Sequence, residues 1–128
     1  MTYILLVSRE KDVFKAVESV FTENKMSFEW TGTAQDAVEL LAEKNIDLVI
    51  TDETLPDMAG RKLVETIIVK NPMIDCVVLS ALTHDKFHEA YEGLGVLMQF
   101  PLEPDKTSAL KLLDHMNRIA LISGRISE

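Results

Sequence analysis

Apolar residues run along this chain in two alternating rhythms. Tyr3-Ile4-Leu5-Leu6-Val7, Leu48-Val49-Ile50, Asp75-Cys76-Val77-Val78-Leu79 and the segment from Val96 to Phe100 are short, near-continuous apolar runs. They are too short for helices and mostly rich in branched side chains, so they read as buried strands. Between them, apolar residues recur at helical spacing. Val13, Ala16, Val17, Val20 and Phe21 define one stripe, and Ala37, Val38 and Leu41 a second. Leu63, Val64, Ile67 and Ile68 give a third. A weaker stripe holds Phe87, Ala90, Tyr91 and Leu94, and the last holds Ala109, Leu112, Leu113, Met116 and Ala120. Ser27-Phe28-Glu29-Trp30-Thr31 alternates polar and apolar, which predicts an edge strand with one covered face.

Punctuation residues agree with this division. Thr33 and Asp36 have capping-box spacing ahead of the second helix, and Asn71-Pro72 ends the third. Gly93 and Gly95 close the fourth, and Pro104 is expected to open the fifth in its first turn. Strand and helix thus alternate about five times. Strands apolar on both faces predict a parallel sheet covered by helices on both sides. No linker or low-complexity stretch interrupts the pattern, so residues 1–128 are expected to form one doubly wound α/β domain.

Composition narrows the classes of function. The formal net charge is −8, from 13 basic and 21 acidic side chains, without a basic cluster. Direct nucleic-acid binding needs a positive face and is not expected. Gly-rich phosphate loops are missing, which disfavours a nucleotide enzyme and leaves another protein as the expected partner. The sequence has neither a bilayer-length apolar run nor a basic-then-apolar leader, so no membrane association is expected. The one cysteine, Cys76, lies in an apolar run and is expected to be a buried thiol, consistent with a cytoplasmic location.

Candidate chemistry collects where strands end. Ligands of open α/β sheets bind outside the carboxyl ends of the strands. That edge gathers Ser8 and Arg9, Asp52, Ser80 and Phe100-Pro101. Asp52 ends its strand, and Pro56 and Gly60 mark an exposed loop before the next helix. Asp52 has a functional reading as the reactive carboxylate and a structural one as acceptor for loop N–H groups.

The ILLV strand from Ile4, DETLPDMAG from Asp52, VVLSA from Val77 and GLGVLMQFPL from Gly93 together resemble a bacterial response-regulator receiver domain over essentially the whole chain. The resemblance implies a flavodoxin-like fold with a five-stranded parallel sheet of order 2-1-3-4-5. It also implies a phosphoacceptor at Asp52, phosphorylated by a histidine kinase, and a switch hydroxyl at Ser80. A pair of acids after the first strand would help hold Mg²⁺, and a Lys before a cis proline would meet the phosphoryl oxygens. Pro101 matches that proline, and a cis Phe100–Pro101 bond is expected by the resemblance.

The sequence departs from the family at half of these positions. Ser8 and Arg9 stand where the acidic pair belongs, and Phe100 stands where the Lys belongs. Phosphoryl transfer onto a carboxylate needs cations and donors to neutralise developing charge, so these changes dismantle the site. Mg²⁺ takes hard oxygen ligands, and here only Asp52 and the Thr54 backbone would remain, so binding should be weak or absent. Arg9 has two readings. A guanidinium about 4 Å from Asp52 would be attracted by roughly 4 kcal/mol gross at an effective dielectric near 20. Alternatively, this long side chain points into solvent.

Other residues carry lesser expectations. Glu53 and Thr54 flank the acceptor as modulators, and Asp57 is expected to cap the third helix or its turn. His84, His88 and Glu92 share one helical face at metal-ligand spacing, a pattern that a surface helix also gives without any metal. The expected function is that of a non-enzymatic signalling receiver with a degraded phosphorylation site, acting as a protein-interaction module. Its partner face is expected on the fourth helix, fifth strand and fifth helix, around Tyr91 and Leu97, where a homodimer would be isologous. One alternative is a conventional receiver phosphorylated on Asp52. Another is a small flavodoxin-like enzyme or cofactor binder, disfavoured by the missing Gly-rich loop and the lack of His or Cys at the strand ends.

Overall fold

A computed structural model describes the chain from Thr2 to Ser123, with side chains described through Arg118. The strands are β1 (Tyr3–Val7), β2 (Ser27–Thr31), β3 (Leu48–Asp52), β4 (Asp75–Leu79) and β5 (Met98–Phe100). The helices are α1 (Lys15–Glu23), α2 (Ala34–Glu43), α3 (Gly60–Lys70), α4 (His84–Ala90) and α5 (Lys106–Ser123), with a 3-10 turn at Lys11–Phe14 leading into α1. The five strands pair in parallel in the order β2-β1-β3-β4-β5, as the resemblance implied.

Alternation along each strand divides the core into two layers. Ile4, Leu6, Leu48, Ile50, Val77, Leu79 and Phe100 face α1 and α5, where they pack with Phe14, Val17, Phe21, Ala109 and Leu112. Leu5, Val7, Val49, Cys76 and Val78 face the other way, onto Ala37, Leu63, Val64, Ile67, Phe87 and Tyr91. Successive strand side chains point to opposite faces, so strands buried on both sides must be apolar at nearly every position. Among the described residues, Val69 and Met73 are the most exposed of the large apolar side chains, at the far end of α3 and just beyond it. Among the described residues, no helix is long and apolar enough to cross a membrane.

Two element boundaries and one cap differ from expectation. The α5 helix starts at Lys106 rather than Pro104, because Asp105 caps it: its carboxylate accepts from the Ser108 N–H at 2.9 Å and the Ser108 hydroxyl at 3.1 Å. These bonds hold the Asp105 carboxyl below its ordinary range. The β5 strand covers only Met98–Phe100, since Gly93 and Gly95 adopt positive φ and turn the chain just before it, although the Leu97 N–H still reaches the Cys76 carbonyl. Asp57 caps α2, not α3. Its two oxygens accept from the Ala34 and Gln35 N–H groups at 2.9 Å each, and these bonds, Ala34 first, hold its carboxyl below the usual range. Thr33 caps the same helix by accepting from the Asp36 N–H, as its spacing predicts. The Ala120 side chain lies outside those described.

Candidate functional site at the carboxyl edge of the sheet

The β3–α3 junction fixes Asp52 and Glu53. The Gly60 N–H donates to the Glu53 carbonyl at 2.8 Å, folding the loop back onto the strand end. A Cβ at Gly60 would stand 2.1 Å from the Asp52 carbonyl oxygen, so only glycine allows this approach. The Glu53 N–H donates to the Leu79 carbonyl, extending the β3–β4 pairing by one bond. Backbone alternation then sends the two acids apart. Asp52 follows Ile50 towards the α1/α5 layer, and Glu53 follows Thr51 towards α3 and α4.

Asp52 is half-buried and accepts two hydrogen bonds. Its Oδ1 accepts from the Thr54 N–H at 3.1 Å, and its Oδ2 accepts a longer bond from the Ser8 hydroxyl at 3.3 Å. The loop-bonding reading is therefore realised, and the residue keeps part of its exposure. Ser8 is only 1% exposed, and its oxygen also accepts from the Glu10 N–H. Above it, the Trp30 indole N–H donates to the Ser8 carbonyl at 2.8 Å, with the Lys11 ammonium 6.0 Å from the ring centroid. Arg9 is exposed, and among the described residues no ion pair joins it to Asp52; of its two readings, the structure takes the solvent one.

Phe100 is a core residue. It is 1% exposed, and the pairing register sets it in one row with Leu79 and Asp52. Its ring lies in the α1/α5 layer beside Leu79. The Phe100–Pro101 bond is trans, which corrects the expected cis bond at Pro101. Trans is the intrinsically favoured form of an X–Pro bond by about 0.5–1 kcal/mol. With a ring drawn into the core, no side chain at position 100 reaches across the edge.

Ser80 does not face Asp52. It is 3% exposed, its hydroxyl donates to Glu53 Oε2 at 2.8 Å and accepts from the Leu82 N–H at 3.1 Å. The other Glu53 oxygen accepts from the Tyr91 hydroxyl at 2.8 Å. Tyr91 is 5% exposed and stacks on Phe87 with centroids 4.5 Å apart. Burial first, then the bond to Glu53, push the Tyr91 phenol up from its ordinary value. The expectation of Tyr91 as a surface residue is thus corrected: its ring fills the α4 side of the core. From β5, the Gln99 amide donates to the Ser80 and Leu82 carbonyls at 3.1 and 2.8 Å. Nothing periodic in the sequence announces this network of Glu53, Ser80, Tyr91 and Gln99.

The donor set at this edge does not fit the Mg²⁺ that the resemblance implies. Asp52 offers one carboxylate, Ser8 a neutral hydroxyl and Arg9 a cation, while Glu53 is turned away. Among the described residues, no group of three or more His, Cys, Asp or Glu side chains converges as a metal site. That includes His84, His88 and Glu92, whose two imidazoles meet edge to face on the surface of α4. They line a groove of about 560 Å³ between α4 and β5, together with Phe87, Leu97 and Met98.

A parallel sheet of this order, with an aspartate ending its central strand, is a flavodoxin-like arrangement that sets a carboxylate at the edge where such sheets bind ligands. Residues 4–99 match the family model described as the response regulator receiver domain. The chain belongs to that family, the signalling domains of two-component systems. A two-component response regulator of Arabidopsis thaliana is 36% identical over 86 residues, which is 66% of this chain and 14% of that protein. Response regulator SaeR of Staphylococcus epidermidis is 26% identical over 106 residues, 81% of this chain and 46% of its own length. The chain therefore spans less than half of either curated relative. Two solved structures share the fold. A chemotaxis response regulator of Vibrio cholerae superposes with a TM-score of 0.79 at 16% identity, covering 89% of this chain and 97% of its own. An uncharacterised protein of Neptuniibacter caesariensis gives 0.82 at 20% identity, covering 99% and 97%.

Proposed function

We propose that this receiver domain works as a protein-interaction module whose partner surface does not depend on phosphorylation of Asp52. One observation carries the reading. The three positions that would neutralise a phosphoryl group hold a buried serine, a solvent-directed arginine and a core phenylalanine. Aspartyl phosphorylation needs that neutralisation, because a carboxylate attacks a centre already dense in negative charge. Mg²⁺ binds weakly or not at all on this reading. The partner is a histidine kinase or another signalling protein in the cytoplasm. It docks on α4, β5 and α5 around the groove beside Leu97, and a second copy of the chain is the alternative occupant.

A second reading keeps some activity at Asp52. Its carboxylate is half-exposed and its longest bond, from Ser8, is the easiest to give up. A kinase could then phosphorylate it slowly while supplying the missing cation itself. Incubation with a small phosphodonor and Mg²⁺, followed by intact-mass measurement, separates the two. The interaction-module reading expects the unmodified mass, and stoichiometric addition of one phosphoryl group that Asp52→Asn abolishes would overturn it. Under the same conditions, a Ser8→Asp and Arg9→Asp double variant is expected to gain modification, since it restores two oxygen ligands and removes a cation.

A further inference from the structure

We infer that Glu53 is a built-in latch, an internal carboxylate that holds the switch hydroxyl of Ser80 and the phenol of Tyr91 and so fixes the β4–α4–β5 surface in one arrangement. For its signalling consequence, the inference rests on the phosphorylation-independent reading above. The geometry is that of a bidentate acceptor. Each Glu53 oxygen takes one O–H donor at 2.8 Å, one from the end of β4 and one from the end of α4. Bonds from hydroxyls to an ionised acceptor are about twice as strong as neutral ones.

The latch is rigidly mounted. The Glu53 N–H is tied to Leu79 and its carbonyl to Gly60, so the carboxylate projects from fixed backbone. What it grips is equally constrained. The Ser80 N–H donates to the Phe100 carbonyl at 3.0 Å, its own carbonyl accepts from Gln99, and its hydroxyl accepts from Leu82. At the carboxyl end of α4, the Arg61 Nε donates to the Ala90 carbonyl at 2.7 Å, one residue before Tyr91. A helix of only two turns has little stability of its own, and this one takes its position from contacts at its ends. The Glu53 carboxyl thus holds the Ser80 and Tyr91 hydroxyls together without any modification of Asp52.

Amide hydrogen exchange of the unphosphorylated chain tests the latch. Glu53→Ala and Tyr91→Phe should each raise exchange across Leu82–Leu94 about tenfold or more, leaving β1 and α2 at parent rates. Ser80→Ala should act likewise, whereas Ser80→Thr, which keeps the hydroxyl, should retain parent protection. Should Glu53→Ala fail to fold, Tyr91→Phe removes a single oxygen and carries the test alone. Parent-like protection of α4 in Tyr91→Phe would overturn the latch, as would an increase spread evenly over every element. The phosphodonor experiment reports separately on the functional reading. A phosphorylated parent whose α4 protection still depends on Glu53 refutes that reading and leaves the latch standing.

Discussion

Replacing Phe100 by the lysine its family position calls for should weaken the fold substantially. The ring is 1% exposed and packs in the α1/α5 layer with Leu79, Ala109 and Leu112. Truncating a buried phenylalanine to alanine costs about 3–5 kcal/mol. A lysine recovers part of this, because its four-carbon stem can lie along the same apolar surface while the ammonium snorkels towards the sheet edge. Recovering about 1–2 kcal/mol leaves a net loss of about 1–4 kcal/mol, on the scale of buried methylenes worth about 0.8 kcal/mol each. A domain of ordinary stability, about 5–15 kcal/mol, survives such a loss. Urea denaturation of parent and variant should therefore show a lower midpoint with an unchanged slope. Phe100→Leu, which keeps an apolar side chain, should lose roughly half as much or less. If Phe100→Lys lies within about 0.5 kcal/mol of the parent, as surface substitutions do, the ring is not a structural element and position 100 is free to serve the edge. Restoring the family chemistry at position 100 is thus coupled to stability.

Three further outcomes follow from the geometry. Gly60→Ala should destabilise the chain by about 2–4 kcal/mol, since a methyl 2.1 Å from the Asp52 carbonyl oxygen must open the β3–α3 junction; a thermal melt within a degree of the parent would contradict this. Asp57→Asn should cost stability at neutral pH and progressively less in acid. The folded carboxyl titrates below its unfolded value, so its contribution is present above the ordinary carboxylate range and is lost as pH falls through the folded value. Urea midpoints of the two proteins that stay equally far apart at pH 7 and pH 3 would refute the assignment. Calorimetric titration with Mg²⁺ should give no saturable heat at millimolar concentrations, and tight binding lost in Asp52→Asn would show that the edge gathers oxygen ligands the resting geometry lacks.

The sheet was legible because buried strands leave a composition that little else produces. All five strand cores and all five helices sit where apolar periodicity places them, and Thr33 caps α2 as its spacing predicts. The strand order was legible only through the resemblance. The site was legible in identity but not in connection. Asp52, Ser8 and Ser80 stand at the sheet edge, yet the bonds of Glu53 join residues 27 and 38 positions away, for which no local spacing exists. Asp57 shows the same limit, since the helix it caps begins 23 positions earlier in the chain. The cis expectation at Pro101 failed because it was carried over from a pattern whose neighbouring residue, Phe100, had changed its role.

Trp30 gives the chain an optical reporter at the carboxyl edge of its sheet. It is the sole tryptophan, it stands 36% exposed, and its indole N–H is bonded to the Ser8 carbonyl. Indole emission responds to the polarity around the ring and to the partner of that N–H. Rearrangement of the β1 exit, whether by acids installed at positions 8 and 9 or by a protein seated over them, should shift the colour and intensity of that emission without any label. A surface docked only at α4 and β5, on the far side of the sheet, should leave it unchanged. The location of a binding event can therefore be read in a cuvette before any complex is crystallised.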